Sequence, residues 1–258
     1  MNRADDERLP PSIGGLVDFA VAAYAERAVL YIGLAVAVFL IQGAVEAAIP
    51  AAKLDTPQGA LKLLVLEYTA LFVDAYVIAA VALGVGMRAA AEPVSSGRIA
   101  GTAAQRWLPV LVTSVLAQTV AFWTGPFSGF GALPDPAAIL LFTAPFVWLV
   151  WGVLGLAQPI TALSGERPAF AVIAGVTRAV AWSLRSSNFR RLSLVAFVTI
   201  VPNLLQTVAY DVMLHQHVAR PLFWAYVPID ALTVGPVAAL QAAFALDFAR
   251  RAGDQRSA

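Results

Sequence analysis

Five acidic residues lie inside long apolar stretches of the chain, and they are the side chains most able to do chemistry there. A carboxylate in hydrocarbon costs several kcal/mol unless it is paired, protonated or hydrated, so each is a candidate proton- or cation-binding group. No Lys or Arg lies in the same stretches, which excludes buried ion pairs between them. The acids must therefore be protonated, be hydrogen-bonded or bind a cation. They are Glu46, Glu67, Asp74, Asp211 and Asp230.

Amides and hydroxyls accompany these acids at helical spacing. Asp230, Thr233 and Gln241 share one face of the last apolar stretch, and Gln118 lies in the third. In one interpretation, Asp74 and Asp230 bind a proton or cation during transport. In the other, protonated acids and amides join neighbouring helices by hydrogen bonds. The candidate polar residues inside the membrane are Glu46, Glu67, Asp74, Gln118, Asp230, Thr233 and Gln241.

The only two histidines of the chain, His215 and His217, follow closely after Asp211. Asp211 and His215 are four residues apart and share a helix face, so they are candidate ligands of a divalent ion together with His217. Glu46 or Glu67 would be a further ligand. The alternative is a pair of surface histidines in an exposed turn.

Sequence motifs of common catalytic sites are absent. The chain contains no G-x-x-x-x-G-K phosphate loop, no H-E-x-x-H and no G-x-S-x-G. It also contains no cysteine, which excludes a disulfide, a thiolate metal site and a cysteine nucleophile. We therefore expect no enzyme activity and no cofactor, and a membrane-embedded enzyme is the third choice.

Six apolar stretches must position the polar groups. With 60% apolar and 13% charged residues and a mean hydropathy of +0.76, the composition lies outside the range of soluble proteins. Each stretch is near the length that a hydrocarbon core of about 30 Å requires of a helix. The sequence thus predicts an all-α polytopic membrane bundle of six transmembrane helices. The expected spans are about 28–49, 63–87, 108–124, 137–161, 192–214 and 222–246.

Positive charge alternates between the segments that flank these spans. Of the 17 Lys and Arg residues, 14 lie in one set of alternate segments and 3 in the other. The positive-inside rule places the rich set, and with it both termini, in the cytoplasm. The expected organisation is a cytoplasmic N-terminus with an interfacial helix (1–27), a transmembrane domain (28–249) and a cytoplasmic tail (250–258).

The longest of the inner segments, 162–191, has the clearest amphipathic pattern, which covers 168–191. Pro168 suits a first helical turn, and large apolar residues recur from Phe170 to Leu184 at steps of three and four. This pattern predicts a surface helix whose cations face lipid phosphate or the protein's own acids. The alternative is a connecting helix that packs under the bundle. The candidate lipid-headgroup or partner-binding residues are Arg178, Trp182, Arg185, Arg190 and Arg191.

The chain resembles a known family in its expected N-terminal surface helix, its six expected spans and one linker. The linker reads PITALSGERPAFAVIAGVTRAVAWSLRSSNFRRL. The chain resembles the six-helix bacterial inner-membrane proteins grouped with the membrane domain of glycerophosphoryl diester phosphodiesterases and related uncharacterised membrane proteins. The resemblance implies a bacterial inner membrane. In that family a separate soluble domain with metal-binding His and Glu residues carries the hydrolytic activity, and nothing here matches that domain.

These observations predict a non-enzymatic inner-membrane scaffold or accessory protein. Its expected partners are membrane lipids, and a protein partner or a second copy of the chain is the other possibility. Nucleic acid is excluded because no basic run with interleaved aromatic residues occurs. The alternative function is a proton- or cation-coupled transporter that uses the intramembrane carboxylates.

Overall fold

The computed structural model describes residues 9–48, 57–93, 95–124, 136–185, 188–200 and 220–254, and within these ranges all regular structure is helical. The predicted all-α class is therefore confirmed. The helices are α1 (Ile13–Ala25), α2 (Ala28–Ala48), α3 (Pro57–Ala89), α4 (Ser96–Thr124), α5 (Pro136–Leu163), α6 (Pro168–Ser183), α7 (189–200) and α8 (Arg220–Asp254).

Local capping interactions set where several helices begin. The Ser12 hydroxyl accepts a hydrogen bond from the Gly15 amide at 3.0 Å, which satisfies one of the open donors at the start of α1. The Ser95 hydroxyl does the same for α4 by accepting from the Arg98 amide at 3.2 Å. Pro168 begins α6 at a position where a missing N–H costs nothing.

The end of α3 is closed by a Schellman motif. The Glu92 amide donates to the Met87 carbonyl at 2.9 Å, and the Ala91 amide donates to the Arg88 carbonyl at 3.1 Å. Ala91 adopts a φ of 54°, in the left-handed region that this motif requires. Pro93 follows and cannot continue the helix.

The helices form a bundle around α3, which packs against α2, α4, α5 and α8. Helix α6 packs on α5 and α4, and α1 packs on α8 and α3. Small side chains line the buried faces of α3 and α8 and allow their backbones to approach closely. They include Ala75, Ala79, Ala80 and Ala82 on α3, and Ala238, Ala239, Ala242 and Ala243 on α8.

One segment of the described chain, Leu232–Gly253, is long and apolar enough to cross a membrane. Helix α1 and the described start of α2, Ala28–Ala37, meet at a bend of 70° and would add a second crossing as one broken span. By this criterion the described residues contain one or two candidate spans. The six expected spans stay a prediction.

The bounds of four helices differ from those expected by six residues or more. Helix α3 begins at Pro57 instead of 63, and α6 ends at Ser183 although the predicted surface helix extends to 191. The sequence predicts a short inner helix and then a span from 108, whereas α4 runs without a break from Ser96 through Pro109. Neighbouring helices hold this part of α4, because the Arg106 guanidinium donates to the Glu166 carbonyl at 2.6 Å and the Trp107 indole donates to the Phe72 carbonyl at 2.8 Å. Helix α8 also continues past the expected end at 246 to Asp254.

Replacing Gly84 tests the close approach of α2 and α3. A Cβ at Gly84 would overlap the Tyr31 hydroxyl, so Gly84→Ala should lower the free energy of unfolding by about 1 to 3 kcal/mol. A Cβ at Gly101, on α4, would meet nothing within 4 Å. Gly101→Ala is the matched control and should stabilise by about 0.5 to 1 kcal/mol. Denaturant unfolding in detergent micelles measures both, and equal effects would contradict this packing.

Candidate functional site at the charged end of the bundle

Asp247, near the end of α8, is completely buried and lies against three arginines. Arg250 Nη2 is 2.6 Å from Asp247 Oδ1, and Arg251 Nε is 2.8 Å from Oδ2. Arg191 Nε, from the start of α7, is also 2.8 Å from Oδ2. These contacts join the ends of two helices through one carboxylate.

The same arginines hold the first described residues of the chain. Arg250 Nη1 donates to the Leu9 carbonyl at 2.7 Å, and Arg191 Nη2 donates to the Pro11 carbonyl at 2.8 Å. Arg251 Nη2 adds a longer bond to Pro11 at 3.4 Å. Because α1 begins immediately afterwards, Asp247 indirectly fixes where α1 lies on the bundle.

We call the group formed by Asp247, Arg191, Arg250 and Arg251 the Asp247 cluster. Three guanidinium groups surround one carboxylate in it, so the described contacts leave a surplus of two positive charges. The cost of burying Asp247 is offset by charge-assisted hydrogen bonds, which are shorter and stronger than neutral ones.

Further ion pairs lie at the same end of the bundle, which we call the charged end. They connect the corner between α1 and α2 with the end of α3, the end of α3 with the start of α4, and the turn before α6 with α6 itself. The segments that the sequence predicts to be on one side of a membrane therefore meet at one end of the fold. The pairs are Arg88 with Glu26, Arg98 with Glu92 at 2.7 Å, and Arg178 with Glu166 at 3.5 Å.

Helix α6 packs on the bundle through small residues and turns its large apolar residues outward. The buried face consists of Ala171, Gly175, Ala179 and Ser183, spaced four residues apart. Close packing explains the glycine, since a Cβ at Gly175 would overlap the Thr161 hydroxyl and lie 3.0 Å from the Ala157 carbonyl oxygen. The opposite face, which we call the α6 outer face, consists of Phe170, Ile173, Thr177, Val180 and Leu184.

The α6 outer face consists of apolar side chains and one hydroxyl group, which is hydrogen-bonded within the helix. Ile173 is 61% exposed and Leu184 is 69% exposed, although both are large aliphatic side chains. Thr177 Oγ1 donates to the Ile173 carbonyl at 2.7 Å, so this hydroxyl is satisfied within the helix. A face of this kind gains free energy when it is removed from water.

The five residues proposed for lipid or partner binding lie in different surroundings. Arg178 and Arg190 are exposed, whereas Arg185 is half-buried. Trp182 is half-buried and stacks on Phe248, with ring centroids 6.4 Å apart. Arg191 is turned into the Asp247 cluster. The sequence pattern did not distinguish the exposed arginines from Arg191, which pairs with the buried Asp247.

Direct hydrogen bonds connect the polar residues inside the bundle. Gln241 is buried and its amide donates to Thr199 Oγ1 at 2.9 Å, which links α8 to α7. Gly155 of α5 lies beside both groups, and a Cβ there would overlap Thr199 Oγ1. Nearly one turn further along α5, Gln158 donates to Ser114 of α4 at 3.1 Å. Of these four bonded residues, Gln241 is one of the predicted polar candidates, and its bond joins two helices.

Of the predicted intramembrane acids, the structure describes the side chain of Asp74. It is half-buried on α3 and its Oδ1 is shielded from solvent. Thr233 is also half-buried, on α8. Four predicted side chains lie outside the described residues or on helix positions whose side chains are not described: Glu46, Glu67, Gln118 and Asp230.

The candidate metal ligands Asp211, His215 and His217 lie outside the described residues. Within the described part of the chain, no group of three His, Cys, Asp or Glu side chains converges as a metal site would require. The metal hypothesis for the histidines stays a prediction.

Asp247 is not among the predicted site residues, because the last expected span ends at 246. The spacing Asp247-x-x-Arg250-Arg251 was the available signal, since residues three and four apart are neighbours on a helix. Nothing in the sequence indicated that Arg191, 56 residues earlier, would join them.

No protein-family model matches the chain, and no curated protein or solved structure is significantly similar to it. The resemblance to the membrane domain of glycerophosphoryl diester phosphodiesterases stays a prediction.

Neutralising Asp247 tests the cluster. Asp247→Asn leaves three neighbouring guanidinium groups without their anion and should lower the free energy of unfolding by about 3 to 5 kcal/mol. Glu92→Gln breaks an exposed ion pair with Arg98 and should cost less than about 1 kcal/mol. Denaturant titration in detergent compares the two variants, and an Asp247→Asn effect no larger than that of the control would remove the cluster's stabilising role.

Proposed function

We propose that the chain is a multi-pass bacterial inner-membrane protein with six spanning segments. Five of them contain the helices α2, α3, α4, α5 and α8, and the sixth is the expected span 192–214, whose first residues lie in α7. The charged end and both termini lie in the cytoplasm, and α6 lies on the inner surface of the membrane. The protein acts as a non-enzymatic scaffold or accessory protein that binds membrane lipid through α6.

The α6 outer face carries this proposal. Its large apolar residues point away from the protein, while the exposed Arg178 lies between this face and the buried one. A helix with an apolar face and a flanking cation suits the boundary between acyl chains and phosphate groups. The satisfied Thr177 hydroxyl removes the one polar group that would oppose insertion.

Exposed apolar rows on other helices support lipid as the surrounding solvent. Leu108, Val112 and Leu116 follow one another on α4 at steps of four, and each is at least two-fifths exposed. On α2, Leu40 and Ile41 are each 57% exposed. Large apolar side chains outside and small ones between the helices are what a bundle surrounded by acyl chains requires.

The scaffold role is supported by the interior of the bundle. The Gln241 to Thr199 and Gln158 to Ser114 contacts are direct, and each pair bridges two helices. Side chains that satisfy one another in this way stabilise a fixed arrangement of helices.

Proton- or cation-coupled transport is the second candidate, and the shielded Oδ1 of Asp74 is the observation that favours it. A carboxyl in the middle of a long apolar helix is a possible carrier of a proton.

A spin label on the α6 outer face tests membrane contact. The chain has no native cysteine, so Ile173→Cys gives a unique attachment site. We expect the label to be accessible to oxygen and protected from a water-soluble nickel complex in lipid nanodiscs. Gly165→Cys is the control, because Gly165 is exposed in the turn before α6 and a Cβ there meets nothing within 4 Å. Equal nickel accessibility at both sites would contradict lipid contact and favour a water-exposed face for a protein partner.

A proton-flux measurement separates the scaffold from the transporter. In proteoliposomes with an imposed pH gradient and an internal pH dye, the scaffold proposal expects the wild type and Asp74→Asn to show the same slow leak. Faster flux in the wild type that Asp74→Asn abolishes would reject the scaffold proposal in favour of transport.

A further inference from the structure

The Asp247 cluster has more positive charge than its own contacts use. Arg191, Arg250 and Arg251 converge on a single carboxylate, and that carboxylate is completely buried. Asp247 is therefore closed to further partners, whereas the surplus charge remains. A concentration of unbalanced guanidinium groups attracts an anion.

The arginines also retain hydrogen-bond donors. A guanidinium carries five N–H donors in a planar fork. Among the described residues, Arg251 directs one nitrogen at Asp247 and one at the Pro11 carbonyl, and Arg250 directs one at Asp247 and one at the Leu9 carbonyl. The side chain of Arg251 is 33% exposed and that of Arg191 is 15% exposed, so Arg251 is the more accessible of the two to a ligand.

The position of the cluster suits a ligand at the membrane surface. Trp182 of α6 stacks on Phe248, the residue that follows Asp247, so the cluster lies beside the helix proposed to lie along the membrane. Arg190, next to Arg191, is exposed and adds a further cation nearby. Basic pockets between helix ends on the cytoplasmic side of a membrane bind phosphate-bearing headgroups.

We propose that the Asp247 cluster binds one phosphate group through Arg251 and Arg191, with Asp247 and the Leu9 and Pro11 carbonyls holding the guanidinium groups in place. The planar forks match the geometry of phosphate oxygens. The phosphate belongs to an anionic lipid or is free phosphate. This inference rests on the proposed membrane location, which places the cluster near lipid headgroups.

Native mass spectrometry of the full-length protein in detergent tests this site. We expect the wild type to bind one phosphatidylglycerol molecule more tightly than phosphatidylcholine. Arg251→Gln should raise the apparent dissociation constant for phosphatidylglycerol about tenfold, because one charge-assisted contact is lost. Arg98→Gln removes the same charge from another exposed ion pair at the charged end and should leave the dissociation constant unchanged. Arg251→Lys keeps the positive charge but lacks the planar guanidinium donors, so it should lower the affinity for phosphatidylglycerol by less than Arg251→Gln does.

Inorganic phosphate distinguishes the two sources. If millimolar phosphate displaces phosphatidylglycerol, the phosphate group alone is sufficient and the site accepts free phosphate. If it does not, the acyl chains contribute and the ligand is the lipid. Unchanged binding in Arg251→Gln, or an equal loss in Arg98→Gln, would overturn the proposal. Neither result would alter the spin-label outcome at Ile173, so failure of this site is distinguishable from failure of the membrane proposal.

Discussion

The burial of the Asp247 carboxylate is the interaction on which the charged end depends. A buried carboxylate is costly unless charged donors surround it, and three arginines from two helices do so. Other donors of the same arginines hold the carbonyls of Leu9 and Pro11, so the start of the described chain, α7 and α8 are fixed together. The same arrangement leaves surplus positive charge where a phosphate-bearing ligand would meet the protein.

The two faces of α6 divide its roles. Small residues such as Gly175 let it approach α5 closely, and its large apolar residues point away from the protein. In water that outer face would be unfavourable, whereas at a membrane surface it contributes to binding. Inside the bundle, direct pairs such as Gln241 with Thr199 take the place of hydration. The proposed lipid surroundings would account for both the outward faces and the interior pairs.

The sequence predicted the helical class because apolar periodicity is a local property. For the same reason it predicted a helix that begins at Pro168, although that helix ends at Ser183 and does not extend to 191. It also predicted which segments carry positive charge, and these segments meet at one end of the bundle. It could not predict that Arg191 pairs with Asp247, since that contact depends on how distant helices pack. Nor did it predict one continuous α4, because proline usually breaks a helix and the contacts of Arg106 and Trp107 with distant residues cannot be read from the sequence.

Cysteine labelling from one side of the membrane tests the central claim, that lipid surrounds this bundle and the charged end faces the cytoplasm. Two single-cysteine variants are labelled in intact cells whose outer membrane has been removed. Gly97→Cys places the thiol at the exposed start of α4, at the charged end, and Ser128→Cys places it in the segment that the sequence predicts to be outside. A membrane-impermeant maleimide should label Ser128→Cys immediately and Gly97→Cys only after permeabilisation. Labelling of Gly97→Cys in intact cells, or recovery of the protein in the aqueous fraction, would contradict the account.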